Sequence, residues 1–149
     1  MRVARVFIDS NVLLYTRDAE LSDKANTALT WLRALAQSDA GCINLQVPNE
    51  ITHVMLRKRQ DLPAETVFAS VDELRVLGTS PIDRQTTLRA REVRMHASYS
   101  WWDCLLLASA VELGCSHFLS EDLQDGHAIQ GLTIIDPFAH SPDTFFSPR

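Results

Sequence analysis

The stretch VARVFIDSN, residues 3–11, decides how the rest of the chain is read. Val3 to Ile8 is short, apolar and rich in β-branched residues, which predicts a first strand. Apolar residues fall on both of its faces, so it is expected to be buried on both sides, as strands of parallel sheets are. Asp9-Ser10-Asn11 then breaks the strand with helix-capping residues, and Val12 to Tyr15 starts a helical turn.

The same alternation continues outward. Ser22 to Ala36 carries Ala25, Ala28, Leu29, Leu32 and Leu35 at helical spacing, with a capping serine at its start. Gly41 ends that helix, and Cys42 to Val47 reads as a second strand. Pro48 suits a first helical position, and Ile51, Val54 and Met55 carry the helix to the basic Arg57-Lys58-Arg59. Pro63 to Leu77 predicts another helix, closed by Gly78, and Ile82 a very short third strand. Arg84 to His96 is an amphipathic helix, whereas Trp102 to Leu113 is apolar nearly throughout and belongs inside. His117 to Ser120 and Leu132 to Ile135 are the fourth and fifth strands. The expected fold is an α/β domain, a three-layer α/β/α sandwich around a mainly parallel sheet of about five strands.

A chain of 149 residues is expected to make one domain over residues 1–149. From about residue 138 the tail holds Pro142, Phe145, Phe146 and Pro148, and reads either as a packed arm or as a frayed end. With 46% hydrophobic and 22% charged residues the composition is that of an ordinary globular protein. A net charge of −5 argues against a protein that coats nucleic acid by bulk attraction, though not against an enzyme that cuts it. Cys42, Cys104 and Cys115 lack CxxC spacing and lie in apolar surroundings, so they read as buried free thiols in a reducing cytoplasm. No segment approaches the ~20 apolar residues of a membrane span, and MRVARVFIDS runs directly into a strand instead of a signal peptide's apolar stretch. The expectation is a cytoplasmic protein with no membrane partner.

Four acids, Asp9, Glu50, Asp103 and Asp122, stand where strands or loops give way to helices or turns. In a parallel sheet such junctions gather at the carboxyl ends of the strands, where ligands bind. Each acid alone has a plain structural reading: Asp9 as a helix cap, Glu50 against its helix dipole, Asp103 in a capping box with Ser100, Asp122 in a turn. Together they present a cost, because close like charges at ~4 Å repel by roughly 4 kcal/mol at an effective dielectric near 20. Asp9 and Asp103 are expected to be partly buried with no lysine or arginine beside them in sequence. A shared divalent cation held by oxygen ligands, Mg²⁺ or Mn²⁺, would remove the repulsion and make phosphate chemistry possible.

These residues resemble the motifs of the PIN-domain nucleases, and among them the VapC-type toxins of toxin–antitoxin pairs. The resemblance rests on FIDSNVLLY with Asp9 and Asn11, PNEITHVMLRK with Glu50, WWDCLLLASAVELGC with Asp103, and HFLSEDLQDG with Ser120 and Asp122. It implies a metal-dependent endoribonuclease that acts on RNA, is neutralised by a cognate antitoxin and forms a homodimer. Asp9, Glu50, Asp103 and Asp122 take the family's acidic positions as catalytic residues and metal ligands, with Asn11 and Ser120 orienting them. The last motif departs from the family by continuing as Leu123-Gln124-Asp125-Gly126, which leaves Asp125 either in the site or capping the turn. A housekeeping PIN nuclease and a non-catalytic scaffold are the alternatives. A phosphoacceptor switch is disfavoured because the chain's two lysines, Lys24 and Lys58, both lie on early helices.

Arg84, Arg91 and Arg94, with Arg57, Lys58 and Arg59, read equally as an RNA-backbone contact and as a solvated face. Trp101-Trp102 could stack a base, but a core anchor beside a buried helix is the favoured reading. His53, one turn after Glu50, has no ligand partner in the pattern and is expected to play no catalytic part. The histidines show no HExxH spacing that would suggest zinc.

Overall fold

Phe7 and Ile8 are wholly buried at the centre of the sheet, as the two-sided apolar pattern of their strand requires. The computed structural model describes residues 4–18, 20 and 22–146. Strand β1, Val6–Ile8, lies between β2, Gly41–Cys42, and β3, His117–Leu119, and pairs parallel with both. Its register sets Phe7 opposite Cys42 on one side and Phe118 on the other, and the Phe7 and Phe118 rings stack at 5.3 Å. Beyond β3 lie β5, Leu132–Ile135, parallel to it, and β4, Ala128–Ile129, antiparallel to β5. The order is β2-β1-β3-β5-β4, with helices on both faces, the three-layer α/β/α sandwich expected from the alternation of strands and helices. Val3 of the expected first strand falls outside the described residues.

Local chemistry explains the helices that position the site. Helix α1, Ser10–Tyr15, follows β1 directly, its first N–H taken by the side chain of Asp9 at 2.7 Å. Helix α2, Asp23–Gln37, is capped by Ser22 as its spacing predicts. Helix α3 runs Gln46–Lys58 and α4 runs Ala64–Asp72, tightening into a 3-10 turn over Glu73–Leu77. That turn ends at Gly78, whose φ is +141°; a Cβ there would stand 2.5 Å from the Ile43 carbonyl oxygen. Helix α5, Arg84–His96, opens with a capping box between Asp83 and Thr86. Helix α6, Trp101–Glu112, is capped by Ser100 and buries every residue from Cys104 to Ala110.

Three expectations need correction. The second strand does not reach Val47: the Asn44 carboxamide oxygen accepts from the Gln46 and Val47 amides and starts α3 there. Pro48 is consequently the third helical residue, still within the first turn where its missing N–H costs nothing. Ile82 is not in a strand; a single parallel bridge joins Asn44 to Ser80 instead. Strand β4 went unread because it is two residues long, and its hairpin turns through Gln130 and Gly131, both at positive φ.

From Phe138 to Phe146 the chain packs back as an arm that ends in a short helix α7, Asp143–Phe146. The Trp31 indole donates to the Pro137 and His140 carbonyls, and Phe145 tilts against its ring. Cys42, Cys104 and Cys115 are buried and free, with the Cys42 and Cys115 sulfurs 3.0 Å apart. Among the described residues no helix is long and apolar enough to cross a membrane.

Candidate active site

Asp9 stands at the carboxyl end of β1 and is only 4% exposed. Its Oδ2 accepts from the Ser120 hydroxyl at 2.8 Å and from Asn11 Nδ2 at 3.1 Å. Burial is the main force on its carboxyl, pushing the pKa up to about 6; Ser120 opposes this and Asp103 adds to it. Ser120 sits wholly buried at the end of the neighbouring strand β3, so strand pairing brings residues 111 apart into contact. The Asn11 amide also donates to Ser120 Oγ at 3.2 Å and to Asp122 Oδ2 at 3.0 Å. One carboxamide thus holds two of the predicted acids and their hydroxyl neighbour. The Asp122 amide closes the loop by donating to Ser120 Oγ at 3.2 Å.

Asp103 is the third residue of α6, and its carboxylate accepts from the Ser100 hydroxyl at 2.9 Å while its own N–H donates to that hydroxyl. Burial raises its pKa, Ser100 counters this, and the charge of Asp122 raises it again. Glu50 is the fifth residue of α3, so it stands beyond the helix's first turn and the dipole reading loses its basis. Burial, then the charges of Asp9 and Asp103, push its pKa up to about 7, with Gln46 and Ser10 acting the other way. Glu50 Oε1 is buried and lacks a hydrogen-bond partner among the described residues, as does Gln46 Oε1.

All four acids therefore share one electrostatic neighbourhood at one edge of the sheet. Ion pairs among the described residues engage other acids, Glu73, Glu121, Asp61 and Asp125, and none of these four. Asp125 spends one oxygen on the Asp136 amide at 2.9 Å and the other on His140 at 2.8 Å, so it ties down the C-terminal arm. Among the described residues no three His, Cys, Asp or Glu side chains close into a ready metal-holding group. The donor chemistry still suits a hard divalent cation: carboxylates that raise one another's pKa, no cationic side chain among the described residues paired to them, and a buried Glu50 oxygen without a partner there.

Asn44, Gln46 and Glu121 were missed. Asn44 is wholly buried and donates to Ser109 at 2.7 Å, tying the start of α3 to α6 and hence Glu50 to Asp103. An asparagine two residues ahead of a helix was its only signal. Glu121 accepts from Tyr15 at 2.7 Å and pairs with Lys24. With Asn11, Arg17, Lys58 and Asp122 it lines a cavity of about 410 Å³. The Trp101-Trp102 anchor reading also fails, since the two residues are 36% and 62% exposed. Arg59 is engaged with Asp61 through two bonds of 3.0 Å, while Arg84, Arg91 and Arg94 are exposed.

The sequence matches the PIN-domain family over residues 6–124. The chain belongs to that family. Solved structures carry the same PIN fold at low identity. A toxin–antitoxin complex from Klebsiella pneumoniae is 16% identical, covering 89% of this chain and 97% of that one, with a TM-score of 0.65. VapBC2 from Rickettsia felis, bound to a DNA fragment from its promoter, is 14% identical over 87% and 96%, with a TM-score of 0.64. VapC20 from Mycobacterium tuberculosis, a toxin that cleaves the sarcin–ricin loop, is 18% identical over 76% and 86%, with a TM-score of 0.57. No curated protein matches this PIN domain in sequence.

Proposed function

We propose that this single PIN domain is a divalent-metal-dependent endoribonuclease and the toxin half of a toxin–antitoxin pair. The observation that carries the reading is the group of four acids, held partly by Asn11 and Ser120, with no cationic side chain among the described residues paired to any of them. Family membership supports nuclease chemistry, and the likeness in fold to toxin–antitoxin complexes supports an antitoxin partner. A homodimer in the cytoplasm, with RNA as substrate, completes the proposal.

Asp9, Asp103 and Asp122, with Glu50 beside them, would hold Mg²⁺ or Mn²⁺, which when bound supplies positive charge to the scissile phosphate and acidifies water. Asn11 and Ser120 fix the carboxylates of Asp9 and Asp122 through the bonds described, so that their oxygens present one orientation. Glu50, beside the other acids and with a buried oxygen that lacks a partner among the described residues, is suited to take a proton from the attacking water and release it to solvent.

Purified protein should cleave single-stranded RNA with Mg²⁺ or Mn²⁺ and stop doing so in Asp9→Asn and in Asp103→Asn. Metal-dependent cleavage that survives both changes removes the proposed site. The lack of a closed metal group among the described residues favours one rival, a binding scaffold without catalysis. Calorimetry separates them, because a scaffold takes up no Mg²⁺ or Mn²⁺ at a specific site. Co-purification with a small protein encoded beside this chain tests the antitoxin.

A further inference from the structure

Between α3, the segment around Pro81 and the start of α6 lies a second groove, of about 660 Å³. Ser10 and Glu50 form its end at the acid cluster, and Leu45, Pro81 and Ile82 give it apolar walls. Trp102 stands in it and is 62% exposed. The ring is open but its backbone is pinned, because the Trp102 carbonyl accepts from Gln46 Nε2 at 3.0 Å. An open aromatic face on a fixed support is a stacking platform, as single-stranded nucleic-acid sites use.

The polar atoms of the groove carry a second message. Gln46 lines it and is only 8% exposed, yet its Oε1 has no hydrogen-bond partner among the described residues. Glu50 lines it too and keeps its own Oε1 without one. Buried acceptors without donors are costly and rarely retained idly. The terminal torsions of Gln and Glu are soft, so a small rotation turns either oxygen to a ligand. The occupant must offer N–H donors on one edge and a flat apolar face. Adenine, cytosine and guanine do so through their exocyclic amines. RNA read by sequence is commonly single-stranded, with bases splayed out, stacked on aromatic rings and bonded along their edges.

We propose that this groove seats one unpaired, amine-bearing nucleobase of the substrate strand beside the scissile phosphate, stacked on Trp102 and bonded at its edge by Gln46. The proposal rests on the nuclease reading, since the groove gains its meaning from ending at Glu50 and Ser10. A protein segment or a second copy of this chain could also cover the ring. Continuity with the acids favours the base, because that end of the groove is where the strand's reacting phosphate must lie.

The test uses a labelled single-stranded RNA of about eight nucleotides, within the usual span of such sites. Binding is followed by fluorescence anisotropy in a chelator, so that no cleavage intervenes, alongside a series with one abasic nucleotide moved along the strand. In the full-length protein one abasic position should weaken binding about tenfold, and Trp102→Ala should weaken binding of the intact strand as much. In Trp102→Ala the abasic strand should lose nothing further, and Trp102→Phe should restore most of the affinity. Gln46→Met should narrow the preference for amine-bearing bases over uracil. Equal binding by wild type and Trp102→Ala, additive losses, or no RNA binding at all would overturn the seat. So would a change from dimer to monomer in Trp102→Ala at unchanged RNA affinity. A protein that binds through Trp102 but never cleaves with Mg²⁺ keeps the seat and loses the nuclease reading. One that cleaves with Mg²⁺ regardless of Trp102 keeps the nuclease and loses the seat.

Discussion

Glu121 and Asp122 follow one another on the loop after β3, and the fold gives them opposite company. Glu121 turns to Tyr15 and Lys24, whose hydrogen bonds outweigh its burial and hold its pKa below the ordinary value. Asp122 turns to Asn11, in the neighbourhood of Asp9 and Asp103, whose pKa values it helps to raise. Asp125, three residues on, again has a partner in His140 and is held low, chiefly by the Asp136 amide. Where an acid serves the architecture, the fold supplies a cation or amide donors. Where Asp9, Glu50, Asp103 and Asp122 meet, it supplies an amide, hydroxyls and more acids. That contrast is what points to an outside cation.

The largest effect expected along this contrast is on cleavage. Asp9→Asn or Asp103→Asn should cut the rate with Mg²⁺ by at least about a hundredfold, while Glu121→Gln leaves it nearly unchanged. A matching loss in Glu121→Gln, read in the same assay, would erase the distinction. Stability against pH comes next. Asp9 holds its proton to about pH 6 when folded, against an ordinary 3.8, so the folded state binds more protons between those values. Stability of the metal-free protein should therefore fall as pH rises from about 4 to 6, by about 2–3 kcal/mol from Asp9. Glu50, held to about 7, extends the fall to that pH. Thermal melts of Asp9→Asn should show a shallower decline between about pH 4 and 6, and added Mg²⁺ should raise the wild-type midpoint more at pH 8 than at pH 5.

Asn11→Ala should lower cleavage by about 10–100-fold with little change in RNA affinity, because it releases Asp9, Ser120 and Asp122 from one another. An unaltered rate would show that these carboxylates need no such support. The smallest effect belongs to Asp125→Asn, which should cost at most about 1 kcal/mol in a denaturant melt and leave cleavage alone. Loss of cleavage there would move Asp125 into the site.

How much of this was legible depended on range. Asp9 could be placed because a β-branched run followed by Asp-Ser-Asn is a local event, though α1 begins at Ser10, two residues ahead of the Val12 expected from the sequence, with Asp9 as its cap. Ser22, Ser100 and the Arg84–His96 boundaries were readable for the same reason. The second strand was overextended because Ile43 to Val47 alternates apolar and polar residues, the pattern of a half-buried strand. What shortens it is the Asn44 side chain, engaged by the Gln46 and Val47 amides and anchored on Ser109 across the fold. Trp101 and Trp102 were read as core because their helix is buried, but the burial begins only at Cys104.

Sequence alone determined the alternation of strands and helices and the placement of Asp9, Asp103 and Asp122 at their junctions, since capping and periodicity act over a few residues. Only the tertiary structure decided which acids share a neighbourhood and which are paired off. The Asn11 amide reaches Asp122 across 111 positions because the strand order places β1 beside β3. No local pattern encodes such a contact; it follows from hydrogen-bond register between strands far apart in the chain.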